Sequence, residues 1–211
     1  LQGETIPHAE KVFSLFQPHT EWISKGKASA PAYAGFAYIP VGKAGVPVEL
    51  GLRVCIVENQ YRFILHHQVM EKTTDAQIAV ALVEQAQARF AAVKAMSFDK
   101  GFHSPANQTE LKQHLENVIL PKKGRLSEAD KSRESDPEFI RLRRQHSSVE
   151  SAINALGVHG LDKCPDHGID GFKRYVALAV VARNIQRLGS ILREHEQQAA
   201  DRRRGPYKKA A

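Results

Sequence analysis

Cysteine is scarce in this chain. Of 211 residues only Cys55 and Cys164 carry a thiol, and neither belongs to a CxxC pair. That suits a reducing compartment rather than a disulfide scaffold. Long apolar runs are lacking too: none approaches the ~20 residues that a membrane-crossing helix needs. No signal-peptide pattern opens the sequence. A cytoplasmic location and no membrane partner are the expectations. The phosphate-loop pattern G-x-x-x-x-G-K-[ST] is absent. Methionine is rare, and the first is Met70. With leucine at position 1, the sequence reads as a piece of something longer, or as a processed or remnant product.

What is present suits a globular protein. Hydrophobic residues make up 42%, enough for a core, and the length fits one domain with appendages. The formal net charge is +7, which favours a polyanionic partner such as nucleic acid. Many basic proteins bind no nucleic acid, so charge alone does not decide it.

Residues 1–24 read as an irregular lead-in with one short extended piece, KVFSLF (11–16). Residues 28–44 are rich in Ala, Pro and Gly and read as a loop. The triplet Gly26-Lys27-Ala28 recurs as Gly42-Lys43-Ala44, as if the segment between were inserted. VELGLRVCIV (48–57) and YRFILHHQVM (61–70) predict a β-hairpin. A helix capped by Thr74-Asp75 runs to about Phe90, with Ile78, Ala81, Leu82, Ala86 and Phe90 on its apolar stripe. Val93 to Phe98 predicts a third strand. Ser104-Pro105 starts a short helix to Leu115. Val118 to Leu120 is a short strand. Residues 122–135 are polar and read as a loop. Asp136-Pro137 opens a helix with Phe139, Leu142, Val149, Ile153 and Leu156 on one stripe. A loop (159–171) leads to a last helix from about Phe172 to Arg193.

This order implies an α/β layer fold. Specifically it fits an RNase H-like mixed sheet with flanking helices, the first core strand missing. The domain reading is a lead-in over 1–47, a partial core over 48–196 and a basic disordered tail over 197–211.

Two carboxylates stand out. SFDKGFHSP (97–105) puts Asp99 at the end of an apolar strand, and RQHSSVESAINAL puts Glu150 on a helix. Cutting a phosphodiester needs an activated water or 3′-hydroxyl and a stabilised leaving oxygen. Mg²⁺ (or Mn²⁺) ions held by carboxylates do both. Each residue alone has a plain alternative, as a turn former or a solvated helix residue.

The motifs SFDKGFHSP, LPKKGR, RRQHSSVESAINAL, CPDHG and GFKRYVALAVVARNIQRLG, in this order, resemble the catalytic part of bacterial insertion-sequence transposases of the DDE type. The match is to the ISNCY-like group, insertion sequences outside the main families. It covers nearly the whole chain except 28–44 and the basic tail. The resemblance implies an RNase H-like fold, a metal-binding Asp-Asp-Glu triad, double-stranded DNA as partner and a homodimer on paired ends. Asp99 would be the second acid and Glu150 the third. The first would lie on a core strand upstream of Leu1; Glu58, at a hairpin turn, is a poor substitute. Relatives read continuously where 28–44 interrupts. A Tyr-Arg-Glu-Lys signature would need Tyr, Arg and Lys where this chain has Arg143, His146 and Gly157, so those roles do not carry over.

The readings that follow are DNA transposition by a truncated transposase, a non-catalytic DNA-binding remnant, or a stand-alone metal-dependent nuclease. Lys122, Lys123 and Arg125, with Arg141, Arg143 and Arg144, are the candidate contacts to DNA phosphates. His159, Cys164 and His167 lack a fourth ligand and match no standard zinc spacing. Cys164 with His167 has no orienting partner for nucleophilic work. His66 and His67 are adjacent in a strand and so point to opposite faces.

Overall fold

The computed structural model describes Ser14, Leu15, Gln17 and residues 19–24, 48–161 and 164–204. The segment 28–44, most of KVFSLF and residues 205–211 lie outside that set. The chain is α/β, with short strands flanked by helices. Strand β1 (Glu21–Ser24) pairs antiparallel with β2 (Val48–Gly51). Strands β3 (Arg53–Glu58) and β4 (Ile64–Met70) form an antiparallel hairpin. Helix α1 (Asp75–Arg89) leads to β5 (Ala95–Ser97), and α2 (Pro105–His114) leads to β6 (Asn117–Ile119). β5 and β6 run parallel. Helices α3 (Glu128–Ser135), α4 (Pro137–Leu156) and α5 (Gly168–Arg204) follow, with a π-helical turn over Gly157–Leu161 after α4.

Local chemistry accounts for most boundaries. Gln77 Oε1 accepts from the Thr74 N–H (2.8 Å) at the start of α1. Ser104 Oγ accepts from the Asn107 N–H (3.0 Å) and Pro105 occupies the first helical position of α2. The hairpin turn is built by Asn59, whose Oδ1 accepts from the N–H groups of Tyr61 and Phe63 (both 3.0 Å).

Several expectations need correction. The run 48–57 is not one strand. It breaks at Leu52, and its two halves take different partners. The lead-in is not wholly irregular, because EWIS supplies β1. One mixed sheet does not form among the described residues, which make three separate two-stranded ladders. The loop over 122–135 contains α3, held by reciprocal bonds between Ser127 and Asp130. The last helix starts at Gly168 and continues to Arg204, so residues 197–204 are helical rather than disordered. Glu196 to Ala200 are good helix formers, and Gln197 bonds Asp201 one turn on (3.0 Å).

Two small cores hold these pieces together. The first gathers Ala79, Val83, Phe98, Leu111, Leu115 and Leu120 from α1, α2 and the flanks of β5 and β6. Gln87 Nε2 braces it, donating to the carbonyls of Val93 (2.9 Å) and His114 (2.8 Å). The second joins Ile64, Leu156, Ala179 and Val180 from β4, α4 and α5. Stripes rotate slightly from expectation. Ala81 and Phe90 are exposed on α1, where Ala79 and Val83 are buried instead. On α4, Ala152 is buried and Ile153 faces outward.

Candidate metal and nucleic-acid site

Asp99 follows the end of β5, two residues beyond the strand proper. Phe98 extends the parallel pairing, its N–H donating to the Ile119 carbonyl (2.8 Å), and its side chain is buried in the first core. A short 3₁₀ turn, Lys100–Phe102, comes next, with Asp99 as its cap. The Phe98 and Phe102 rings pack 5.6 Å apart at 55°. Buried Asn107 clamps the turn from α2. Its Nδ2 donates to the carbonyls of Phe102 (2.8 Å) and Ala76 (2.7 Å). Asp99 itself is exposed, and among the described residues its Oδ1 accepts only from the Lys100 N–H (2.7 Å). The result is a solvent-facing carboxylate on a rigid mount.

Gly101 fits this turn because of what lies behind it. A Cβ there would collide with the Asp75 carboxylate, in the first turn of α1. Asp75 is held in turn by Arg53 (3.7 Å), which also reaches Glu21 (3.8 Å) and the Thr73 carbonyl. This cluster ties β1, β3 and α1 together behind the Asp99 turn.

Glu150 lies on α4, but its side chain is outside the described residues. The helix packs against both β5 and β6, so the element that carries Glu150 adjoins the strand that leads to Asp99. Among the described residues, no group of three or more His, Cys, Asp or Glu side chains could hold a metal ion.

The basic residues divide. Lys122 is turned inward: its Nζ pairs with Asp130, and its N–H donates to Glu134 (2.7 Å). That pairing, with the Ser127 bonds, holds the Asp130 carboxyl well below the usual carboxylate range. Arg143 approaches the same Glu134 (3.9 Å). Arg141 pairs with Glu138 on its own helix, Nε to Oε2 at 2.7 Å, which lowers the Glu138 pKa. Arg144 is exposed. Lys123 and Arg125 are exposed and have no acidic partner among the described residues. Gly124 between them adopts φ +91°, a left-handed conformation that favours glycine. So Lys123 and Arg125 are better placed for phosphate than Lys122, which anchors α3.

No protein-family model, curated protein or solved structure matches this chain.

Other titratable groups serve the fold. His66 is buried, and neither ring nitrogen makes a hydrogen bond of good geometry. Burial, then the Arg89 and His67 charges, lower its pKa, with Gln85 opposing weakly. Burial and Arg89 lower that of His67 too. His67 lines an open cleft of about 440 Å³ with Gln68, Glu71, Gln85 and Lys173, crossed by the Lys173–Glu71 ion pair (2.6 Å). Burial and the nearby Asp75 charge push the Cys55 thiol up to about 12, so it is no nucleophile at neutral pH. No helix among the described residues is long and apolar enough to cross a membrane.

Sequence reasoning missed Asn107, Asp75 and Arg53, which position the site without belonging to it. Asn107 had a visible signal, since it stands three residues past the Ser104 cap, just beyond the motif. Arg53 and Asp75 had none, because their pairing joins separate elements.

Proposed function

We propose that this chain is the catalytic region of a DDE-type insertion-sequence transposase of the ISNCY-like group, with an RNase H-like fold. Asp99 carries the reading: an exposed carboxylate just past a parallel strand, clamped by Phe98, Phe102 and Asn107, with α4 packed on the same strand pair. The strand arrangement also supports it. One edge of β3 and one edge of β5 have no strand partner among the described residues. A core strand between them would join the hairpin and the parallel pair into one mixed sheet. In this reading the first acid lies on that strand.

In this reading Asp99 and Glu150 hold Mg²⁺ or Mn²⁺. When bound, such ions activate the attacking water or 3′-hydroxyl and stabilise the leaving oxygen. The chain's own part is to hold Asp99 on a fixed turn and to offer cations to the DNA backbone. The full reaction would hydrolyse the phosphodiester at the element ends and join the freed 3′-hydroxyl to double-stranded target DNA. With only two of the three acids, this chain alone should not carry out strand transfer.

Manganese binding tests the site. Asp99→Asn and Glu150→Gln should each weaken Mn²⁺ affinity about tenfold or more, read by electron paramagnetic resonance. Unchanged affinity in both variants sinks the assignment. A second reading, a non-catalytic DNA-binding remnant, rests on exposed Lys123 and Arg125 alone. It expects salt-dependent DNA binding with no specific Mn²⁺ site.

A further inference from the structure

Helix α5 has two apolar faces, and the described residues cover one of them. Val176, Ala179 and Val180 are buried against the body. On the same side Asn184 and Arg187 bond the hairpin. The other face carries Leu178, Val181, Ile185, Leu188 and Leu192, which are 65%, 54%, 64%, 49% and 53% exposed. Their spacing alternates between three and four residues. That is a 3.5-residue period, the seam of a two-helix coiled coil.

We infer that α5 pairs antiparallel with α5 of a second copy of this chain along that stripe. The inference stands independently of the transposase reading.

Three observations select this occupant. The first is the period, which asks for a straight helix running alongside. The second is the character of the face. The positions flanking the stripe from 177 to 191 are Ala177, Ala182, Asn184, Gly189 and Ile191, none of them charged. Nothing stands within 4 Å of a Cβ built on Gly189, so a second backbone can approach closely there. An uncharged face meets its own copy without repulsion, whereas a charged partner would find no complement. The third is the charge beyond the stripe. Arg174 and Glu196 lie equally far from Ile185 on either side. An antiparallel pair centred on Ile185 sets Arg174 against Glu196 of the second copy, twice by symmetry. Arg174 is accessible for this, two-thirds exposed beside Asp166. A parallel pair would set Arg174 against itself.

The area is adequate. The five side chains expose roughly 500 Å², near the top of what the largest apolar patch on a monomer covers. Two such faces bring the interface to about 1,000 Å², the lower bound for a specific one.

Sedimentation equilibrium of the full chain, from about 1 to 100 µM, reads the association. The expected result is a reversible dimer. Ile185→Glu, which puts two carboxylates together on the symmetry axis, should weaken it ~100-fold or more. Because Ile185 is largely exposed, the variant should keep its helical circular dichroism at dilutions where the parent is also monomeric. Arg174→Glu and Glu196→Arg should each weaken the dimer about threefold to tenfold, and the double variant should restore it. A monomer at the highest concentration overturns the inference, as does a dimer indifferent to Ile185→Glu. Single charge reversals that strengthen the dimer overturn the antiparallel arrangement.

Discussion

Replacing Asn184 by alanine should loosen the hairpin from α5. Its amide joins residues 120 apart: Oδ1 accepts from the Ile64 N–H and Nδ2 donates to the Ile64 carbonyl, both at 2.9 Å. The amide thus stands in for a neighbouring strand at the start of β4, where the β3–β4 register shifts between Val57 and Glu58. Ile64 is 4% exposed, so little water reaches these groups once the amide is gone. A buried donor or acceptor left without a partner costs about 1–3 kcal/mol. Two such groups, discounted because the space left by the amide can admit a water, give an expected loss of about 2–3 kcal/mol. For a chain of this size that lowers Tm by about 4–12 °C. Thermal melts followed by circular dichroism would show it. Arg187→Ala removes one hydrogen bond to the exposed turn at Tyr61 and serves as control, with an expected loss under about 1 kcal/mol. If Asn184→Ala melts within about 1 °C of the parent, the amide is not the pin described above.

The buried His66 gives a pH dependence. In the unfolded chain its ring titrates near 6.5, as is usual, and in the fold its pKa is lower, so the unfolded chain binds more protons between the two values. Stability is then full above about pH 6.5 and falls as the pH drops below it; His66→Leu should flatten this slope in urea titrations at pH 7.5 and 5.5. Iodoacetamide should modify Cys164 well before Cys55 in the native protein, with mass spectrometry of the peptides as readout; equal rates would contradict the raised Cys55 pKa. Asn107→Ala should cost about 1–2 kcal/mol by removing the bonds that tie the Phe102 carbonyl and the start of α1 to α2, and should weaken Mn²⁺ binding with the mount of Asp99 loosened. Gly101→Ala should displace the Asp75 side chain and cost about 1–2 kcal/mol in the same melts.

Elements announced by caps and periodicity were legible in the sequence. Thr74, Ser104 and Asp136 mark the starts of α1, α2 and α4 because their chemistry is local. The hairpin was legible too, since alternation and Asn59 both act within a few residues. Helix α3 was not: EADKSRES buries nothing, so no apolar rhythm announces it, and its anchors, Lys122 and Arg143, lie outside it. β1 escaped because EWIS pairs across a long intervening segment. At the site, the exposed Asp99 could be picked out from its position after an apolar run. The fate of Lys122 could not, because only the folded chain brings Asp130 and Glu134 to it.

The two cores differ in how far along the chain their members lie. Every member of the first falls between α1 and Leu120, one residue past β6, so its contacts close short loops. Members of the second come from β4, α4 and α5, and closing it means joining Ile64 to Ala179 across most of the described chain. Short loops cost less entropy to close, and local units tend to form early and open late. The part of the molecule that mounts Asp99 should therefore set before the hairpin and α5 dock. Amide exchange would find its protection persisting in α1 and α2 after β4 and α5 have begun to open.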